Sequence, residues 1–186
     1  MDNSLKSAKQ SLRQIFYQKR KTIQSKSLKS EIIIQKLKQL EDFKECRSIL
    51  LYYSTPDEVD THALISECIA KGKTVYLPST KEILITKITS TTSLKEHIEN
   101  ILEPEHPDIE LPSSVDIVLL PGLAFDRKGY RLGMGNGWYD RLLETLVIKT
   151  RIGLIFDDLL VESLPSEKHD KKIDCILTER NEIILG

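Results

Sequence analysis

The residues best suited to chemistry lie in one glycine-rich segment in the second half of the chain. Gly129, Gly133, Gly135 and Gly137 fall within nine residues and make up half of the chain's eight glycines. Glycine permits a positive φ and lets a ligand approach the backbone closely. The amides of such a loop, together with the N-terminus of a following helix, can bind an anion. Arg131 lies inside the loop, where its guanidinium can hold a phosphate through two parallel hydrogen bonds.

The spacing of these glycines excludes two familiar phosphate-binding loops. The pattern is not GxxxxGK[ST], because no Lys-Ser or Lys-Thr pair follows the last glycine. It is not GxGxxG either, because Gly133, Gly135 and Gly137 are each two residues apart. Spacing alone therefore leaves two interpretations open, a phosphate-binding loop and a structural turn.

Three side chains directly after the glycines can extend such a site. Trp138 and Tyr139 offer aromatic faces that stack on a flat heterocycle, although the same residues can simply pack a helix against a sheet. Asp140 can bind Mg²⁺ together with phosphate oxygens. It can equally be a first-turn acid that stabilises the helix through its amides and dipole.

Candidate residues also occur far from the loop. Lys9 and Arg13 are four apart on a predicted helix, so they share one face and can hold a polyphosphate or remain a solvated charged surface. Glu58 lies just before another predicted helix, where acidic residues are more often caps than ligands. Tyr53, five residues earlier, is either a core residue or part of a substrate site.

Length and charge limit the possible classes of protein. A chain of 186 residues fits one domain. Residues 1–47 carry 12 Lys and Arg against 5 Asp and Glu, and the remainder carries 15 against 23. The basic segment is either an anion-binding surface or a solvated helix surface. The acidic remainder argues against a nucleic-acid partner, because such domains are normally basic overall.

The cysteines and the absence of long apolar runs predict a cellular location. Cys46, Cys68 and Cys175 are odd in number, far apart and outside any CxxC motif, which favours reduced thiols that fill the core. No apolar run approaches the ~20 residues that span a bilayer, and the charged N-terminus does not resemble a signal peptide. We therefore expect a cytoplasmic protein with no membrane partner.

Hydrophobic periodicity predicts strands that alternate with helices after two N-terminal amphipathic helices. Residues 90–114 contain three prolines and are predicted to be mostly loop. The alternation favours an α/β fold with a largely parallel sheet. We predict one Rossmann-like domain over residues 1–186, a three-layer sandwich with helices on both faces of the sheet. The predicted strands are 48–53, 74–77, 83–88, 115–120, 151–156, 173–177 and 182–185, and the later helices are 61–71 and 138–147.

The loop and its neighbours resemble the signature of the 5-formyltetrahydrofolate cyclo-ligases, also called 5,10-methenyltetrahydrofolate synthetases. That signature has Pro-Gly, then Phe-Asp, then Gly-x-Arg-Leu-Gly-x-Gly-x-Gly followed by two aromatics, Asp and Arg, as in residues 121–141 here. Trp138 stands where the family usually has tyrosine. Three further segments are similar to elements of the same family, namely Lys9-Gln-Ser-Leu-Arg13, Pro56-Asp-Glu-Val-Asp-Thr61 and residues 169–179. His169 is assigned no role.

This resemblance implies an ATP-dependent reaction. The enzyme would convert 5-formyltetrahydrofolate, with or without a polyglutamate tail, to 5,10-methenyltetrahydrofolate, ADP and phosphate through a phosphorylated formyl intermediate, with Mg²⁺ as cofactor. We expect a monomer that uses no protein nucleophile and no essential cysteine. The implied catalytic residue is Arg131, and the implied ATP-binding residues are Lys9, Arg13, Arg131, Leu132, Gly133, Met134, Gly135, Asn136, Gly137, Trp138 and Tyr139. The implied folate-binding residues are Tyr53, Glu58, Trp138 and Tyr139, and the implied metal ligands are Asp140 and Asp174.

Two other readings of the residues remain open at this point. One is a sugar-phosphate isomerase or transferase on a related α/β scaffold, which would account for the anion loop but not for Lys9 and Arg13. The other is a non-enzymatic sensor of a nucleotide or phosphate, because a fold does not fix a function.

Overall fold

Short apolar runs build the centre of the sheet in the computed structural model of the protein, which describes residues 3–79, 83–96, 102–106, 112–167 and 170–185. The longest run is Ser114–Leu120, in which the last four side chains are entirely buried. Such a run is typical of a parallel strand that is covered on both faces. The described strands are β1 (Ser48–Leu50), β2 (Thr74–Ser79), β3 (Leu84–Ile88), β4 (Leu94–Glu96), β5 (Leu102–Pro104), β6 (Ser114–Leu120), β7 (Ala124–Asp126), β8 (Arg131–Leu132), β9 (Val147–Leu154), β10 (Leu160–Val161), β11 (Cys175–Leu177) and β12 (Glu182–Ile184).

Seven of these strands form the main sheet, in the order β12-β11-β9-β6-β1-β2-β3. The five central strands are parallel, and the edge strands β12 and β3 are antiparallel to their neighbours. A small sheet with the order β10-β7-β8 carries the start of the glycine-rich segment, and β4 pairs with β5 separately. The predicted α/β class with a largely parallel sheet is confirmed.

The helices are α1 (Asn3–Thr22), α2 (Lys26–Gln39), α3 (Glu41–Glu45), α4 (His62–Ala70) and α5 (Trp138–Thr145). They flank the sheet, with α4 against β2 and α2 against β11. No described helix is both long enough and apolar enough to cross a membrane. The Rossmann-like three-layer arrangement within one domain stays a prediction.

Several predicted boundaries differ from the structure for local reasons. The run 48–53 forms a strand only over Ser48–Leu50, because the chain then turns toward a cavity. The strand predicted over 151–156 begins earlier, at Val147, since Ser114 and Val147 pair at the start of β6 and β9. The segment 90–114 was predicted to be mostly loop. Its described part contains β4 and β5, although residues 97–101 and 107–111 lie outside the described residues.

Candidate active site

A cavity of about 400 Å³ lies at the carboxyl ends of β1, β2 and β6. Tyr52 and Tyr53 follow β1, Pro78 lies near the end of β2, and Pro121 and Gly122 follow β6. Ligands of open α/β sheets commonly bind at this end of the strands. The volume is within the range of small-molecule sites.

The glycine-rich loop forms one wall of this cavity, and Asp126 fixes how the chain enters it. The buried Asp126 carboxylate accepts hydrogen bonds from the backbone N–H groups of Lys128 and Tyr130 at 2.9 Å and from that of Leu164 at 2.8 Å. This explains the Phe-Asp pair in the signature, because the same carboxylate shapes the turn and ties it to a distant segment. Phe125 beside it is entirely buried in the core.

Two glycines near the end of the loop have positive φ angles. Gly135 has φ +108°, and a Cβ atom there would lie 3.2 Å from the guanidinium carbon of Arg13. Gly137 has φ +65° and is the residue at which α5 begins. A side chain at either position would strain the backbone. Arg13 stabilises the loop directly, because its Nε donates to the Gly133 carbonyl at 3.0 Å.

Helix α1 supplies cations to the wall of the cavity. Lys6, Lys9, Arg13 and Arg20 all line it. Lys9 is buried, and its Nζ lies 2.6 Å from Oδ2 of Asp170 and 3.1 Å from Oε2 of Glu167. The predicted pairing of Lys9 and Arg13 on one helix face therefore places both at the same cavity.

The side chain of Arg131 is only 7% exposed. Its Nη2 donates to Oδ1 of Asp140 at 3.0 Å, whereas its Nε and Nη1 have no hydrogen-bond partner among the described residues. Burial lowers the pKa of Arg131 from its ordinary value, and the Asp140 charge opposes that shift. A buried guanidinium with unused donors is well suited to receive an anionic or carbonyl oxygen.

The two aromatic residues after the glycines have different surroundings. Trp138 is buried and meets the Tyr139 ring edge to face, with centroids 4.8 Å apart and planes at 80°. The Arg131 guanidinium lies over the Tyr139 ring, 5.1 Å from its centroid. Burial raises the pKa of the Tyr139 phenol, with Arg131 opposing, so the phenol is neutral at physiological pH. Both rings line the cavity and also pack, so the two alternatives from the sequence are compatible.

Glu58 enters the cavity from the loop between β1 and α4. Its Oε2 accepts a hydrogen bond from the Thr55 backbone N–H at 2.9 Å, and its Oε1 lies 3.3 Å from Nη1 of Arg20. Tyr53 lies close by, and its ring is 4.1 Å from the His62 ring. The predicted folate-binding residues thus share the cavity with the predicted ATP-binding residues.

The two predicted metal ligands are separated. Asp140 lines the cavity, but Asp174 does not. Asp174 comes just before β11, and its carboxylate accepts a 2.7 Å hydrogen bond from the Arg151 backbone N–H. The structure does not bring these two carboxylates together at the cavity. The described residues contain no cluster of three or more Asp, Glu, His or Cys side chains that could bind a metal by themselves.

A model of the 5-formyltetrahydrofolate cyclo-ligase family matches residues 5–179 of the chain. The chain belongs to this family. It is 36% identical over 154 residues to the 5-formyltetrahydrofolate cyclo-ligase of Haemophilus influenzae, with 78% of this chain and 82% of that protein covered. It is 27% identical to the mouse protein of the same name, over 95% and 96% of the two chains. The solved structure of Aquifex aeolicus 5,10-methenyltetrahydrofolate synthetase superposes with a TM-score of 0.83 at 32% identity, covering 95% of this chain and 92% of that one.

Membership of the cyclo-ligase family makes this chain an enzyme and decides between the readings that the residues left open. The sugar-phosphate isomerase and the non-enzymatic sensor are both set aside. The resemblance inferred from the loop and from the segments around Lys9 and Glu58 is confirmed.

Sequence reasoning missed several residues that the structure places at the cavity, among them Arg20, Glu167 and Asp170. A signal for Arg20 was present, because it lies seven residues after Arg13 and helical spacing puts both on one face. No comparable signal marked Glu167 or Asp170, since they follow no helical or strand period.

Proposed function

We propose that this enzyme closes the N5-formyl group of 5-formyltetrahydrofolate onto N10 and uses ATP to do so. The products are 5,10-methenyltetrahydrofolate, ADP and phosphate. The observation that carries the proposal is the buried Arg131, whose Nε and Nη1 lack a partner among the described residues in the same cavity as Glu58. One cavity thus offers a cationic place for phosphate and a carboxylate for a heterocycle.

The nucleotide end of the proposed site is the glycine-rich loop with Lys9, Arg13 and Arg131. The amides of residues 132–137 and these three cations would neutralise the phosphate oxygens. Phosphoryl transfer depends mainly on such positioning and charge neutralisation. Lys9 would exchange the carboxylates of Glu167 and Asp170 for phosphate oxygens.

The folate end is built around Glu58. An ionised carboxylate has about four acceptor positions, and two hydrogen bonds of Glu58 are to Thr55 and Arg20. The remaining positions can accept N–H groups of the pterin. Tyr53, Trp138 and Tyr139 offer ring faces to the same ligand.

The chemistry requires alignment more than covalent help from the protein. The formyl oxygen attacks the γ-phosphorus, ADP leaves, and the formyl carbon becomes an iminium phosphate. N10 then attacks that carbon, the C–O bond breaks, phosphate leaves, and the N10 proton is lost. The tight positioning of both reactants in one cavity supplies much of the rate. Arg131 would stabilise the negative charge that develops on the transferred phosphoryl group.

A magnesium ion fits the nucleotide end with few protein ligands. Mg²⁺ is commonly held by one or two carboxylates plus substrate phosphates, so a cluster of three protein ligands is not required. Asp140 is the first carboxylate, and Asp170 suits the second position better than Asp174 because it lines the same cavity. The bound ion would neutralise charge on the phosphate oxygens.

We further propose that the enzyme acts as a single-domain monomer in the cytoplasm. One cluster of buried side chains runs from Phe16 to Leu177, which supports a single domain. All three cysteines are free thiols, which fits a reducing compartment.

A spectroscopic assay tests the proposal. The purified protein is mixed with Mg-ATP and 5-formyltetrahydrofolate, and the near-ultraviolet absorbance of the methenyl product is followed together with ADP release. We expect both signals to grow in equal molar amounts and to need ATP. ADP release without the methenyl absorbance, or absorbance that grows without ATP, would contradict the proposal.

A further inference from the structure

Arg20 is a buried cation on a helix turn whose neighbouring lysines are exposed. It lies in the last turns of α1 and is 7% exposed, whereas Lys19 and Lys21 on either side are exposed. Its Nη1 lies 3.3 Å from Oε1 of Glu58. Its Nε is buried without a hydrogen-bond partner among the described residues. A guanidinium has five N–H donors, so Arg20 has capacity beyond its bond to Glu58.

Arg20 and Glu58 present a donor and an acceptor side by side on one wall. Both line the main cavity. A second cavity that touches both residues measures only about 10 Å³, which is about the space of one water molecule. Of these two cavities, only the main one has room for a ligand larger than water, and Tyr52, Pro121 and Gly122 line both cavities next to the pair.

The edge of a pterin has the complementary order of groups. Its 2-amino group and N3–H are donors, and the adjacent C4 oxygen is an acceptor. A carboxylate can accept the first two and leaves the C4 oxygen in need of a donor. A guanidinium next to that carboxylate supplies the donor, and its flat fork suits an oxygen held in the same plane.

We infer that Arg20 binds the C4 oxygen of the folate while Glu58 binds N3–H and the 2-amino group, so that the pair selects 4-oxo over 4-amino pterins. This inference rests on the proposed function. A 4-amino analogue would direct an amino donor at the Arg20 guanidinium, and its N3 would carry no proton for Glu58. A site built to hydrogen-bond one group rejects an analogue that leaves its buried donors unpaired.

The test compares the binding of 5-formyltetrahydrofolate and of its 4-amino-4-deoxy counterpart, measured by calorimetry. The proteins are the wild type, Arg20→Met, Arg20→Lys and the control Lys19→Met, which removes an exposed charge from the same helix turn. We expect the wild type and the control to prefer the 4-oxo ligand by about tenfold or more. Arg20→Met should weaken 4-oxo binding by about 10- to 100-fold, because a hydrogen bond to a charged group is lost.

The response of the 4-amino analogue separates recognition from a structural role. If Arg20 binds the C4 oxygen, Arg20→Met leaves the affinity for the analogue within about threefold of wild type. The preference for the 4-oxo ligand then falls to the part that the N3–H contact with Glu58 provides. Equal weakening of both ligands would mean that Arg20 only supports Glu58, and it would overturn the inference. A wild type without preference would overturn it too.

Arg20→Lys keeps the charge and covers the case in which the methionine variant fails to fold. It should bind the 4-oxo ligand more weakly than wild type and lose most of the preference, and an undiminished preference in this variant would also overturn the inference.

The outcome is distinguishable from failure of the proposed function. A wild type that forms the methenyl product but shows a preference that Arg20→Met does not reduce disproves only the inference. A wild type that forms no methenyl product disproves the proposed function, whatever the two ligands show.

Discussion

Lys9 and Asp170 form an ion pair of 2.6 Å between residues that lie 161 positions apart in the sequence. Glu167 approaches the same ammonium at 3.1 Å. A polyphosphate that enters the cavity must compete with these two carboxylates for the Lys9 ammonium. The ammonium is therefore oriented before ATP arrives, at the cost of an exchange of partners.

Replacement of Lys9 should mainly affect the nucleotide. We expect Lys9→Met to raise the KM for ATP by about 10- to 100-fold, because a charge-assisted contact to phosphate is lost. The KM for 5-formyltetrahydrofolate should change by less than about threefold. Steady-state kinetics with each substrate varied in turn provide the measurement, and Lys19→Met is the control. A larger change in the folate KM than in the ATP KM would remove Lys9 from the nucleotide site.

Replacement of Arg131 should separate activity from stability. Arg131→Met removes a buried guanidinium with two unpartnered nitrogens. Asp140, which loses its partner, is 30% exposed in its side chain and can be solvated. We expect kcat to fall by about 10²- to 10³-fold, as for the loss of one preorganised donor. The midpoint of thermal unfolding should stay the same or rise, because exchange of a buried charge for an apolar side chain is often neutral or stabilising. A lower unfolding midpoint together with a normal kcat would show that Arg131 stabilises the fold and does not serve the reaction.

Replacement of Glu58 should mainly affect the folate. Glu58→Gln removes the negative charge and one acceptor next to the pterin, so we expect the folate KM to rise by about 10- to 100-fold with little change for ATP. The control is Asp57→Asn, which neutralises the adjacent carboxylate that pairs with Lys26. Binding of the folate measured by calorimetry without ATP checks the assignment. An unchanged folate affinity would exclude Glu58 from the site.

The two candidate second ligands of magnesium can be compared directly. We expect Asp140→Asn and Asp170→Asn to raise the Mg²⁺ concentration that gives half-maximal activity. Asp174→Asn should leave it unchanged and should destabilise the fold by about 1 kcal/mol, because the carboxylate accepts the Arg151 backbone N–H. Magnesium titrations and urea unfolding give the two readouts. A rise in the magnesium requirement for Asp140→Asn and Asp174→Asn, with none for Asp170→Asn, would assign the second position to Asp174.

The buried thiols should be unreactive and should make stability fall at alkaline pH. Burial raises the pKa of Cys68 to about 11 and that of Cys175 to about 12. A thiol reagent at pH 8 should therefore label these two cysteines only after unfolding. The unfolded thiols lose their protons near pH 9, before the folded ones, so this contribution to stability is complete below pH 9 and is lost as pH rises toward about 12.

Urea unfolding between pH 8 and 10.5 measures this loss. The slope with pH should be smaller in the Cys68→Ala, Cys175→Ala double variant. That variant should keep its cyclo-ligase activity at pH 8, because neither cysteine lines the cavity. Rapid labelling of the native protein, or loss of activity in the double variant, would contradict the prediction.

The sequence was most informative where local rules determine structure. The strand β6 could be predicted from its apolar run, and the loop after it from its dense set of glycines, because each pattern favours one local structure. The signature around Arg131 then led to the family, and the family led to Glu58. The helical spacing of Lys9 and Arg13 correctly placed both on one face of α1.

The remaining features depend on distant contacts that no local pattern reveals. The short strands β4 and β5 contain proline and charged residues, and pairing with each other rather than intrinsic preference makes them strands. Asp170 and Asp174 are both acids in the same segment, and only the folded chain distinguishes them. Asp170 lines the cavity, whereas Asp174 accepts a hydrogen bond from the Arg151 backbone N–H.

The separation of Lys9 and Asp170 in the sequence has a consequence for protein synthesis. Lys9 leaves the ribosome early, but its partner emerges only after four of the five central strands of the sheet have been made. Contacts of such long sequence separation form late, since the intervening chain must first be ordered. A nascent chain that ends before Glu167 has the glycine-rich loop, Arg13 and Arg131, but it lacks both carboxylates that orient Lys9. Stalled or prematurely terminated chains of this enzyme should accordingly bind ATP with an unoriented Lys9.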